Sequence, residues 1–184
     1  QQKALIRQKR PVNKFIAYFQ AYTNTYAPVE YLEKIFAEAI SDPDVVVLSI
    51  ATRPDCLGDD VLALLDELNQ KLPVFVELGL QTINEETAKF IRRGYELSVF
   101  ENAVKKLSLI NVNIVVHLII GLPGEDKDMN LQSISYLNSL PINGIKLQLL
   151  HVLKNTDLAL DYEAGKFEVL SREDYLGILQ RCVE

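Results

Sequence analysis

The chain has 184 residues, 48% of them apolar, with 19 Lys+Arg against 25 Asp+Glu and a formal charge of −6. That length fits one domain, read as spanning residues 1–184, and the composition excludes a disordered tail, a collagen-like fibre and a low-complexity linker. The negative balance argues against nucleic-acid binding through bulk surface charge. Two distant cysteines, Cys56 and Cys182, make neither a disulfide framework nor a zinc signature, so a reducing, cytoplasmic setting is expected.

Residues 1–10, QQKALIRQKR, are too polar for a signal peptide. A first strand is predicted over 14–19. Pro28 then suits a first helical turn, and Val29, Leu32, Ile35, Phe36 and Ala39 follow it at helical period. The run VVVLSIA predicts a strand over 45–51, and Val61, Leu62, Leu64, Leu65 and Leu68 a second helix. A third strand covers 74–80. Asn84 caps a short helix reaching Arg93, and Ser98 with Glu101 has capping-box spacing for the next one. NIVVHLII predicts a strand over 113–120. Leu131, Ile134 and Leu137 mark another helix, and a fifth strand covers 144–150. A polar loop follows, and Ser171 with Asp174 opens a last helix. No apolar run approaches the ~18 residues of a membrane span.

Strands starting roughly 30–40 residues apart, with a helix in each gap, are repeated βα units of a parallel sheet. The alternatives are an open doubly wound sheet and an arc of a (β/α) barrel. Strand parity favours the barrel. Tyr18, Gln20 and Tyr22 share one parity, as do Ser49 and Arg53, Glu77 and Gln81, and Lys146 and Gln148, with His117 on the fourth strand. One polar face per strand is a lumen, whereas under helices it would stay unsatisfied.

Five segments carry chemistry. In ELGLQT, Glu77 and Gln81 flank Gly79, which leaves room for a ligand, and Arg93 follows Gln81 across a short helix. In HLIIGLPGE a buried strand ends in Gly121 and Gly124 before a helix N-terminus. YFQAYTNTYAP supplies hydroxyls and amides after the first strand. SIATRPDC places Arg53 beside Asp55, and KLQLLHVLKNT runs from a strand into a polar loop. Each also has an ordinary structural reading: a lumen ion pair, a turn, a capping loop, a local salt bridge.

Taken in order, ELGLQT…IRRGY, HLIIGLPGE and GIKLQLLHVLKNT resemble the radical S-adenosylmethionine (SAM) enzymes. They are most similar to the group holding the Elongator-type tRNA-modifying subunit and oxygen-independent coproporphyrinogen dehydrogenase. YFQAYTNTYAP and SIATRPDC resemble an uncharacterised bacterial family related to the Elongator subunit. The resemblance covers residues 14–175 and implies a partial TIM-like barrel of parallel strands that lacks its first strand. It implies that Gln81 is the glutamine of the fourth family strand in the SAM pocket, that Arg93 reaches the methionine carboxylate of SAM, and that Thr23 and Asn24 lie where its amino group is held. Ser49, Arg53 and His117 would lie near the ribose, and Gly121, Leu150, His151 and Val152 near the adenine.

The family also requires CxxxCxxC, three thiolates holding a [4Fe-4S] cluster, and this sequence has no such motif. With Gln1 in place of Met, the expectation is an internal fragment that begins downstream of the cluster loop. Such a fragment carries no metal ligands, and SAM, the cluster and an electron donor would serve the full-length enzyme. There, SAM cleavage to a 5′-deoxyadenosyl radical would abstract hydrogen from the substrate. Kinship with tRNA modifiers points to RNA, which the charge does not support. The missing strand would leave a sheet edge at 14–19 for self-association, or for cover by residues 1–10. The rival readings are a cluster-less barrel that binds a nucleotide or protein, and an ordinary barrel enzyme using Glu77 as a base with Lys146.

Overall fold

The computed structural model describes residues 2–184. Five strands, β1 (Phe15–Phe19), β2 (Val45–Thr52), β3 (Val74–Gln81), β4 (Asn113–Ile120) and β5 (Gly144–Leu149), form one sheet. Every neighbouring pair is parallel and the spatial order is β1-β2-β3-β4-β5. A doubly wound sheet reverses its strand order at a switch point. Here the order never reverses, so the right-handed crossovers put their helices on one face and the sheet curls into a half-barrel.

The helices are α1 (Gln2–Lys9), α2 (Val29–Ile40), α3 (Asp59–Asn69), α4 (Glu85–Phe90), α5 (Leu97–Leu109), α6 (Lys127–Asn138), α7 (Asp157–Glu163) and α8 (Arg172–Val183). Leu48, Ile50, Val76, Leu78, Leu80, Ile114 and Val116 point outward and pack against Phe36, Leu65, Leu68, Phe100 and Leu107, all of them buried. Phe19 meets Phe36 edge to face with centroids 5.0 Å apart. The opposite parity of β3 and β4 is half-buried along its length and forms the concave face.

The predicted strands hold within a residue or two. Several helix details do not. α5 begins at Leu97 after Glu96, without a side-chain cap; Ser98 lies inside it. The reason is tertiary: the Leu97 N–H donates to Glu85 Oε1 at 2.7 Å, so a carboxylate from α4 does the work of a capping box. Pro28 is the N-cap of α2 rather than its first residue. α4 stops at Phe90, and Arg92 takes a left-handed φ of 57°. Arg93 is therefore thrown back by a turn, not carried on the helix. Two short helices escaped prediction. α1 has almost no apolar stripe and is held by charge: Lys3 bonds Asp42 and Asp44 at 2.6 Å, Arg7 bonds Asp44 at 2.7 Å, and both cations lie over the Phe15 ring. α7 buries only Ala159 and is started by the Thr156 hydroxyl, which accepts from Ala159 N–H.

Candidate active site

Each strand sends one polar side chain to the middle of the concave face: Tyr18, Ser49, Glu77, His117 and Lys146. The register pairs Tyr18 with Ser49 and His117 with Lys146, while Glu77 stands opposite Ala51 and Val115. Strand tilt then brings diagonal neighbours together. Glu77 Oε1 accepts from Ser49 Oγ at 2.6 Å. Its Oε2 accepts from Tyr18 OH at 2.9 Å and lies 2.6 Å from His117 Nε2 and 3.5 Å from Lys146 Nζ. Lys146 Nζ also donates to Tyr18 OH at 2.9 Å. β1 and β5 are the two edges of the sheet, so this last bond spans the half-barrel from edge to edge.

Burial pushes the Glu77 carboxyl up, but Ser49, His117, Tyr18 and the Lys146 ammonium outweigh it and hold it below the usual carboxylate range. Burial likewise lowers His117, more than Glu77 raises it, so the imidazole is neutral at pH 7. Lys146 stays charged: its hydroxyl and carboxylate partners overcome the burial that would lower it. A carboxylate with about four acceptor sites filled and its pKa depressed is a poor proton acceptor. That removes the support for Glu77 as a general base.

Above this hub lies the mouth, at the strand C-termini. Gln81 ends β3 with a left-handed φ of 70°, at an irregularity of register against β4. Such a conformation in a non-glycine residue marks a position held by its surroundings. Gly79 is what lets the Gln81 side chain fold back, since a Cβ there would stand 2.7 Å from Gln81 Nε2. Tyr95 OH donates to the Gly79 carbonyl, and burial raises the phenol to about 12. The Tyr95 ring lies under two guanidiniums, Arg93 at 4.7 Å and Arg53 at 5.3 Å. Arg53 bonds both Asp55 oxygens, at 2.9 and 2.7 Å, and the Arg93 carbonyl at 3.0 Å.

Arg93 is nearly fully buried. Its Nε donates to Tyr95 O at 2.9 Å, Nη1 to Thr82 O at 2.8 Å and Nη2 to Glu85 at 3.0 Å. Three of its five N–H groups are thus spent inside the protein. Asn24 Nδ2 ties the loop after β1 to Phe19 O at 3.0 Å and Ala51 O at 2.9 Å, and Thr23 beside it is half-buried. Gly121 has φ 86°, and a Cβ there would meet Leu170 at 2.9 Å. The Leu150 N–H donates to Ile120 O at 3.0 Å, His151 is exposed and Val152 half-buried.

The predicted residues thus form three groups along one face. Ser49 and His117 join the hub. Arg53 and Arg93 flank Tyr95 at the mouth, with Gln81 at the end of β3 and Thr23 and Asn24 beside β1. Gly121 and Leu150–Val152 border the far side. Sequence reading missed Tyr95, two residues after Arg93 in IRRGY. It also missed the Thr82 hydroxyl bonded to Glu125, and the buried Thr25–Thr52 pair at 2.6 Å. A cavity of about 490 Å³ between Tyr26, Asp55, Cys56 and Val61 involves none of the predicted binding residues.

A parallel half-barrel with a polar concave face opening at the strand C-termini is a partial TIM-type enzyme barrel. The chain belongs to the radical SAM superfamily, whose profile matches residues 1–137, and the radical SAM C-terminal domain matches residues 142–184. It is 45% identical over 177 residues to the uncharacterized protein YtqA of Bacillus subtilis, covering 96% of this chain and 55% of that one. It is 29% identical over 140 residues to a tRNA uridine(34) acetyltransferase of Methanocaldococcus jannaschii, covering 73% of this chain and 25% of that one. The archaeal Methanocaldococcus infernus Elp3 with an N-terminal deletion shares the fold, with TM-score 0.84, 20% identity, and coverage of 98% and 47%. The chain thus spans about half the length of YtqA.

The family implies SAM and a [4Fe-4S] cluster. Among the described residues no three His, Cys, Asp or Glu side chains come together as a metal site, and Cys56 and Cys182 are separate free thiols. The chain does not fit the cluster. Anaerobic reconstitution of this chain with iron and sulfide is expected to leave it without cluster absorbance. About four irons per chain would overturn that expectation.

Proposed function

We propose that this chain is the SAM-binding half-barrel of an enzyme that takes a hydrogen atom from its substrate. The supporting observation is that Arg53 and Arg93, forty residues apart, flank Tyr95, whose hydroxyl holds the Gly79 carbonyl two residues before Gln81 at the end of β3. The donor set suits SAM. Gln81, held over Gly79, would face the methionine moiety, with the Arg93 guanidinium buried behind the mouth as a fixed positive charge. Ser49 and His117 supply polar groups below, and the turn at Gly121 with the Leu150–Val152 backbone lines the side assigned to adenine. Bound SAM would supply the 5′-deoxyadenosyl radical; the chain's own work is to orient it and keep water away. A second reading, that the substrate is a tRNA nucleoside, draws on the name of the M. jannaschii relative.

The test is the full-length protein, reconstituted with cluster and supplied with dithionite and SAM. Formation of 5′-deoxyadenosine is expected; its absence, with SAM bound no better than adenosine, would sink the proposal. Gly79→Ala gives a sharper check. The new methyl would meet only the mobile end of Gln81, so stability should change by less than about 1 kcal/mol. Gln81 would have to swing away, and SAM affinity should fall about five- to tenfold by calorimetry.

A further inference from the structure

We propose that Lys146 is a substrate-binding residue, whose ammonium donates to a carbonyl or carboxylate oxygen of the substrate in the lumen. This rests on the radical SAM reading, which assigns SAM to the mouth and to the side of the hub at Ser49 and His117, and leaves the space over Lys146 to another molecule.

An inventory of donors carries the argument. Ser49 and Tyr18 give their hydroxyl protons to Glu77, and His117 turns Nε2 toward it. Lys146 has three protons. One goes to Tyr18 and one points along the longer contact to Glu77, so one remains. Lys146, with its side chain 38% exposed, and Tyr18, 40% exposed, reach into open space, while Glu77 and His117 lie beneath them at 13% and 12%. Of the two exposed members only Lys146 has a proton left, since Tyr18 gives its own to Glu77. The other cations flanking the concave face, Arg53 and Arg93, are held at the mouth by Asp55, Glu85 and main-chain carbonyls.

The hub is therefore a mount. Glu77 fixes the charge and position of Lys146, and Tyr18, reaching from the opposite edge, stops it swinging. Holding a long cationic side chain in advance cuts the ordering cost that a ligand would otherwise meet. The titratable and charged groups facing Lys146 are Glu77, Tyr18 and His117, and at neutral pH their charges sum with its own to zero. An incoming oxygen thus meets one directed N–H without net repulsion.

The test uses the reconstituted full-length enzyme, with 5′-deoxyadenosine formation measured against increasing extract from cells that lack its gene. Extract should stimulate the wild type. Lys146→Met should need about tenfold more extract or greater for half-stimulation, with a smaller loss of SAM affinity. Lys146→Arg should recover most of the loss. Lys146→Gln, a neutral donor, should recover it for a carbonyl and not for a carboxylate. An unchanged extract dependence in Lys146→Met overturns the inference, as does an equal loss of SAM affinity or a wild type that no extract stimulates. Failure of the radical SAM reading looks different: no 5′-deoxyadenosine from the wild type under any condition.

Discussion

Arg93→Ala is expected to destabilise the chain by about 3 kcal/mol, and Arg92→Ala by less than about 0.5 kcal/mol. The two arginines are adjacent in sequence and opposite in environment. The Arg93 side chain is 2% exposed. Its removal orphans the carbonyls of Thr82 and Tyr95, leaves Glu85 with its bond to the Leu97 N–H alone, and strips one cation from the Tyr95 ring. Breaking one partner of a buried pair costs about 3–5 kcal/mol; the lower end applies because Glu85 remains 40% exposed. Arg92 pairs with Asp157 across open surface, with side-chain exposures of 73% and 62%. Urea unfolding of the chain without ligand measures both. Calorimetry with SAM on the folded full-length variants then isolates ligand binding, where Arg93→Ala should again lose more than Arg92→Ala. Equal stability of the two variants would mean that the Arg93 contacts contribute nothing.

The stronger structural role of Arg93 was not legible in the sequence. Spacing from Gln81 singled out Arg93 over Arg92, and the structure buries Arg93, but by a turn after α4 and not on a helix drawn from Asn84 through Arg93. The turn at Arg92 requires a left-handed residue with no glycine to announce it. The five strands were legible because covered parallel strands read as dense apolar runs with one parity interrupted. Tyr18, Ser49, Glu77, His117 and Lys146 could be given a common face by counting alone. That they converge on one carboxylate could not be read, because strand tilt, not parity, brings diagonal neighbours into contact. Helices α1 and α7 were missed because long-range charge and a single capping hydroxyl hold them, and neither leaves a periodic signal.

Glu77→Gln is expected to cost about 2–4 kcal/mol at pH 7 and to flatten the acid limb of the stability profile. The amide offers one acceptor where the carboxylate offered two oxygens, and turns its NH2 toward groups that are themselves donors. Lys146 loses its counter-charge in the same step. In the wild type, Glu77 and His117 are both shifted down in the folded state. Each contributes stability that is present above its unfolded-state pKa and is lost as pH falls through the lower folded value. Stability should thus begin to decline below about pH 6.5, as the unfolded chain takes up the proton that buried His117 resists, and fall further below about pH 4.3, as the unfolded chain takes up the proton that folded Glu77 resists. His117→Gln should remove the first decline and spare most of the second. Glu77→Gln should remove the second, since no carboxylate remains to be protonated at the hub. Chemical unfolding from about pH 8 to about pH 2.5 resolves the two limbs. An acid limb of unchanged slope in Glu77→Gln would show that carboxylates elsewhere govern acid unfolding, and that the hub orders the lumen without stabilising the half-barrel.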